Sequence, residues 1–434
     1  MITHNKHFRK IKRVTIAILA CTCLLAANAR TAFPSGFAVF DNGAGSLGRA
    51  NAVIAEPEGP DSQYFNPAAM TKLKGTNIVN SVTAIVPSRT FESQKTAETT
   101  EFARKTHFPI ALFISHQLND WLWAGLGINN NFGLGNSYPR IWEGRYIVTN
   151  SEMTAFNINP NVAVKLLNDK LSFGGGVSLL YATAEQEKML NLKSLGLPDG
   201  QQNFKGDGSG FGWNVGALYN LSNKLSVGAG YRSRMHMTLD GEAEHRIPQS
   251  ANPVVNRLTA QLFPKTDGTA KFKLPDQAFA GIAYKPTDKL LIELAYRWEG
   301  WSVHEEIKYN FDKPINGNVT AVVPRNWHNT SAVSLGGRLH LTETLALYLG
   351  GIYEQNPIPD STFEPSIPGS DKFTISTGIR KDIGCWSIAL AYLHDFYQER
   401  TKENNIGTNL GGNANGKYKT DLNQIGLSIY YKFK

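Results

Sequence analysis

Cysteine is scarce in this chain of 434 residues: there are three, and two of them, Cys21 and Cys23, lie close to the N-terminus. Cys385 stands alone beyond them, so no intrachain disulfide can form in that part of the chain. Long apolar runs are scarce as well. After the N-terminal stretch none reaches the roughly 18 residues of a helical membrane span. Catalytic and metal-binding patterns are missing. His107, His116, His236, His245, His304, His328, His340 and His394 show no metal-ligand spacing with another His or Cys, and no Gly-x-Ser-x-Gly elbow occurs. No enzyme activity, metal or cofactor is expected. A strong excess of one charge is missing too. Lys6, Arg9, Lys10, Lys12 and Arg13 take the formal charge from +8 to +3 when they are set aside, so the pI of 9.1 gives no reason to expect nucleic acid as a partner.

Those five cations precede an apolar stretch from Val14 to Ala27, and Ala27-Asn28-Ala29 places small residues two apart, as signal peptidase requires. Residues 1–29 are predicted to be a signal peptide cut after Ala29. Ile18-Leu19-Ala20-Cys21 offers a degenerate lipoprotein signal as the alternative.

What the chain has in abundance is alternation with a period of two. In the last strand Ile425, Leu427, Ile429, Tyr431 and Phe433 share one face, and Gly426, Ser428, Tyr430 and Lys432 share the other. Leu290, Ile292, Leu294, Tyr296 and Trp298 likewise alternate with Glu293, Arg297 and Glu299. Charges on the inner face would be costly in a dry core, and a wet lumen tolerates them. Fourteen such segments run from 77–88 to 420–433, among them 121–131, 170–186, 211–221 and 224–238. Short turns alternate with long connections at 89–106, 132–152, 187–210, 239–271, 303–329, 356–371 and 399–419. That order suits a membrane barrel with short periplasmic turns and long outer loops. A secreted soluble all-β protein is the alternative on composition alone. The expectation is an all-β fold: a 14-stranded antiparallel transmembrane β-barrel over residues 77–434, with an N-terminal hatch, or plug, inside the lumen.

The hatch is assigned to residues 30–76, which do not alternate. They are rich in Gly and Pro and carry Phe33, Phe37, Phe40 and Leu47. A segment of this kind at the periplasmic mouth fills the space that a barrel of this strand number encloses; a disordered tail is the other reading.

Several motifs, in order along the chain, resemble the outer-membrane long-chain fatty-acid and hydrocarbon transporters of the FadL/TodX type. They are Ser46-Leu47-Gly48-Arg49-Ala50 followed by Asn66-Pro67-Ala68, Gly210-Phe-Gly-Trp-Asn214, Tyr231-Arg-Ser233, Leu274-Pro-Asp276 and Ile367-Pro-Gly-Ser-Asp371. The resemblance implies passive uptake of hydrophobic molecules, most of all long-chain fatty acids, across the outer membrane of a Gram-negative bacterium. Aromatic hydrocarbons as cargo, and a surface adhesin or receptor barrel, are the alternatives. Outer-membrane lipid, lipopolysaccharide and the barrel-assembly machinery are the implied partners. Within the hatch the resemblance points to Leu47, Gly48, Arg49, Asn66, Pro67 and Ala68. It also maps a basic ligand contact onto Lys188, where the family has Arg, and a second onto Arg325. A defect in the third strand is implied, and Gly125, Gly127, Gly133 and Gly135 fall there.

The outer loops supply apolar material. Leu190, Leu192 and Leu195 lie in one connection, and Val255, Leu258 and Leu262 lie in another, at a spacing that places them on one face of a short helix. Such patches mark a ligand site or pack against each other.

Overall fold

The computed structural model describes residues 36–433 apart from Asn168. The signal peptide and Phe33 lie outside the described residues. The strands form a closed antiparallel barrel of fourteen. The first, Thr76–Ser93, pairs in an unbroken register with the last, Gly416–Lys432, from Asn77 opposite Lys432 to Ser93 opposite Gly416. That pairing of first strand with last closes the cylinder.

Alternation decides which way each side chain points. Val333, Leu335 and Leu339, then Ile388, Leu390 and Tyr392, then Ile425, Leu427 and Ile429, are all exposed. Ser334, Ser376, Ser387, Asp395 and Ser428 are buried. Apolar outside and polar inside is the reverse of a soluble sandwich, and it matches a wall facing lipid.

Three features depart from the segments read in the sequence. The fifth and sixth strands, Leu171–Leu190 and Gly200–Asn220, run well past the expected 170–186 and 211–221. Gly206, Gly208 and Gly210 hid this extension from an alternation count. A Cβ on Gly206 would meet the backbone of Asp240 at 2.8 Å, so these positions belong to a closely packed ladder. The connection 303–329 is also partly sheet: Glu306–Ile315 and Asn318–Pro324 form a hairpin. The seventh, eighth and ninth strands are each interrupted, the seventh as Leu225–Arg232 and Met235–Arg246, the eighth as Thr266–Leu274 and Gln277–Tyr284, and the ninth as Leu290–Glu299 and Glu306–Ile315.

Residues 37–50 and 52–71 are buried, and they fold as a short helix, Ala44–Gly48, and two 3-10 turns, Pro60–Tyr64 and Pro67–Lys72. Several inner-wall charges are matched by this segment or by each other. Arg49 bonds Glu58 at 2.6 Å and Glu293 at 3.0 Å, and Arg297 pairs with Glu354.

Candidate functional site

The N-terminal segment is seated on the inner wall by specific contacts. Glu293, on the ninth strand, accepts hydrogen bonds from the backbone amides of Ile54 (2.6 Å), Ala55 (2.8 Å) and Glu56 (3.1 Å) as well as from Arg49. Consecutive amides turned towards one carboxylate make an anion cradle, here closed by a cation. Glu58 accepts from Arg49, Arg338 and Tyr348. Asn66 caps the last 3-10 turn: its Oδ1 accepts from Ala68 N at 3.1 Å, while its Nδ2 donates to Ile54 O at 2.9 Å and to Ala217 O on the wall at 3.0 Å. Pro67 and Ala68 lie so close to the wall that a Cβ on Gly174 would meet their backbone at 2.7 Å. Gly48 sits against Tyr348, 2.8 Å from where its Cβ would be, and Leu47 is buried in the same region.

The segment's first described residues meet the barrel at a break in the third strand. That strand runs as Leu122–Asn129 and resumes as Gly133–Ser137. Between the two pieces side chains supplement a thinned ladder, in which Asn130 N still donates to Ile110 O and Ala155 N to Phe132 O. Asn130 Oδ1 accepts from Ile110 N at 3.0 Å, and its Nδ2 donates to Ala155 O at 2.8 Å. Backbone groups freed by the break bond to the N-terminal segment instead: Val39 N donates to Asn131 O at 2.9 Å, and Gly133 N donates to Phe37 O at 2.8 Å. The Phe37 and Phe132 rings meet edge to face at 6.1 Å. The glycines named in the sequence flank the break without forming it. Gly125 and Gly127 make room for Met70, Gln63 and Phe113. Asn130, in the run Asn129-Asn130-Asn131, was the missed signal: its amide side chain bonds backbone groups of both neighbouring strands.

Phe37 also lines a cavity of about 70 Å³ with Met153, Phe204, Phe272, Tyr309 and Arg325. Phe204 and Tyr309 continue into a larger pocket of about 370 Å³ that includes Lys188, Val322 and Leu410. Lys188 and Leu410 in turn belong to an outer groove of about 440 Å³ with Leu190 and Phe263. Shared lining residues thus join three spaces from the outer loops down to Phe37. Phe40 lies deeper, with the Arg297 guanidinium 3.7 Å from its ring centroid.

Lys188 is half-buried, and among the described residues no hydrogen bond or ion pair holds its ammonium. An unpaired cation on an apolar wall suits an anionic head group with an apolar tail. Arg325 differs. It is buried in an ion pair with Glu364 and donates to Ser366 Oγ at 3.5 Å, so its charge is already matched. Burial alone would raise the Glu364 carboxyl; the Arg325 guanidinium and Ser366 outweigh that and hold it below the usual carboxylate range.

The other loop candidates divide. Leu190 lines the outer groove. Leu192 is buried within its own loop, Leu195 is half-buried, and neither lines the three spaces. Val255, Leu258 and Leu262 do lie on a helix, Pro253–Leu262, capped by Asn252, whose Oδ1 accepts from Val254 N at 2.9 Å. The helix stands beside the groove through Phe263, while Leu258 remains 40% exposed.

A family model described as outer membrane protein transport protein (OMPP1/FadL/TodX) matches residues 25–433. The chain is 23% identical over 379 residues to the long-chain fatty acid transport protein of Escherichia coli, covering 80% of this chain and 83% of that one. A FadL homologue from Pseudomonas aeruginosa superposes with a TM-score of 0.80 at 18% identity, covering 92% of this chain and 100% of that one. The toluene transporter TbuX of Ralstonia pickettii gives 0.69 at 17% identity, covering 91% and 99%.

Proposed function

This chain belongs to the outer membrane protein transport family (OMPP1/FadL/TodX), and on that premise we propose that its cargo is a long-chain fatty acid. The family carries hydrophobic compounds across the outer membrane, and its relatives include both fatty-acid and toluene transporters. The single observation that favours the acid is Lys188, an ammonium without a partner at the junction of the outer groove and the larger pocket. A hydrocarbon gives that cation nothing to pair with; a carboxylate does.

An apolar chain gains little by entering a water-filled pore, so uptake needs a succession of apolar pockets. The groove captures the tail, and Lys188 holds the head group in the larger pocket. The cargo then passes Phe204 and Tyr309 into the cavity beside Phe37. Residues 30–76 act as the hatch. Their release at 37–39 breaks the backbone bonds to Asn131 and Gly133 and opens the inner cavity towards the third-strand break. Arg325 acts as a brace for the loop that carries Glu364 rather than as a head-group contact.

Mass spectrometry of lipids that co-purify with the protein from its native membrane tests the reading. Fatty acids of long chain length are expected. Recovery of hydrocarbons alone, with fatty acids failing to displace them, overturns it.

A further inference from the structure

The outer wall of the barrel carries a group of cations that the transport route does not use. On the seventh strand, Met235 and Met237 point inward, so Arg234 and His236 point out. On the eighth, Ala270 and Phe272 face the lumen, which turns Lys271 and Lys273 outward. On the ninth, Ile307 and Tyr309 line the inner cavity, and Lys308 is exposed on the other face.

Register brings these side chains together. His236 is directly opposite Lys273, and Lys271 is directly opposite Lys308. Directly opposed side chains sit about 5 Å apart at Cβ, where like charges repel. Other cations at this end of the barrel face acids. Lys205 lies opposite both Glu185 and Glu242, Lys265 bonds Glu242 and Glu244, and Lys417 and Lys419 share Glu399. Among the described residues, Lys271, Lys273, Lys308 and His236 form no ion pair, although Glu306 and Asp240 are on the same strands. Arg234 reaches only Asp276, at 3.7 Å.

The group has a defined height in the membrane. Immediately below it on the same strands and the adjoining sixth strand lie Trp213, Tyr231, Tyr296 and Trp298, with the Trp213 and Tyr231 rings 5.3 Å apart. Aromatics at that level mark the boundary between hydrocarbon and head groups. The outer leaflet of this membrane is a phosphorylated glycolipid, so the cations stand where its phosphates lie.

We propose that Arg234, His236, Lys271, Lys273 and Lys308 form a lipopolysaccharide site that binds lipid A phosphates against the outer wall of strands seven to nine. The phosphates relieve the repulsion that the register imposes, and the acyl chains lie along the aromatic and aliphatic surface below.

The test titrates purified, delipidated protein in a nonionic detergent with diphosphoryl lipid A, read by native mass spectrometry. Parallel titrations use the same lipid A after phosphatase treatment and phosphatidylglycerol. Saturable binding of the diphosphoryl form alone is expected. The variant Lys271→Ala/Lys273→Ala/Lys308→Ala is expected to bind it on the order of a hundredfold more weakly, at roughly fivefold per cation near an anionic surface. Lys205→Ala/Lys265→Ala, which removes cations set opposite or bonded to acids, leaves binding unchanged. Equal binding of phosphatase-treated lipid A or of phosphatidylglycerol by the unmodified protein overturns the proposal, as does a triple variant that binds like the parent.

Discussion

Glu293 and Arg49 meet at 3.0 Å with both side chains fully enclosed, one carried by the barrel and the other by the segment inside it. The same carboxylate holds three consecutive amides of that segment. Glu293→Ala leaves a buried guanidinium short of a partner, and breaking a buried pair in this way costs about 3–5 kcal/mol. The loss falls on the seating of the segment rather than on the outer sheet. Limited proteolysis is expected to cut within residues 36–75 while the barrel stays resistant. Protection equal to that of the parent removes Glu293 as the anchor.

Glycines on the inner wall keep space for the same segment. A Cβ on Gly230 would run into the carbonyl of Phe65, and one on Gly228 into Ile54, with 2.9 Å left to the carbonyl carbon of Ile54. Gly230→Val therefore displaces the segment without touching the lipid-facing side. Larger single-channel conductance in planar bilayers, with normal heat-modifiable migration, is the expected outcome. An unchanged conductance shows that the segment tolerates the added bulk.

Lys188→Ala is expected to weaken fatty-acid binding by about 1.5–3 kcal/mol, the worth of a hydrogen bond to a charged group. Toluene binding should not change, because it draws nothing from the ammonium. Lys188→Arg restores the charge and should recover most of the affinity. If the alanine variant loses affinity for both ligands alike, the residue acts by shaping the pocket.

The Arg325–Glu364 pair makes the loop 356–371 sensitive to acid. Because the folded Glu364 carboxyl titrates below its unfolded value, the pair's contribution is present above the unfolded pKa and is lost as pH falls through the depressed one. The protection factors of amides in that loop should fall on acidification below about pH 4.5, the ordinary range of a glutamate. In Glu364→Gln this acid step should disappear. A step that survives in the variant belongs to another group.

Much of the architecture was legible because a strand's side chains alternate whatever surrounds them. Ile425, Leu427 and Ile429 against Gly426 and Ser428 identify a two-faced strand from the residues alone. The extension of the fifth and sixth strands was not legible, since Gly206, Gly208 and Gly210 have no side chain to register a face. The candidate site was legible in part. Lys188 and Arg325 look alike as loop cations, and only their neighbours separate an ammonium without a partner from a guanidinium bound to Glu364.

By itself the amino-acid order determined that this protein is a β-barrel with an apolar exterior and a Gly- and Pro-rich leading segment, because period and composition are local properties. Tertiary structure decided between a leading segment packed within the barrel and a disordered tail, and it alone decided which charges are neutralised and where the third strand breaks. Those outcomes depend on contacts between residues far apart in the chain, such as Arg49 with Glu293 or Val39 with Asn131, and no local pattern encodes such pairs.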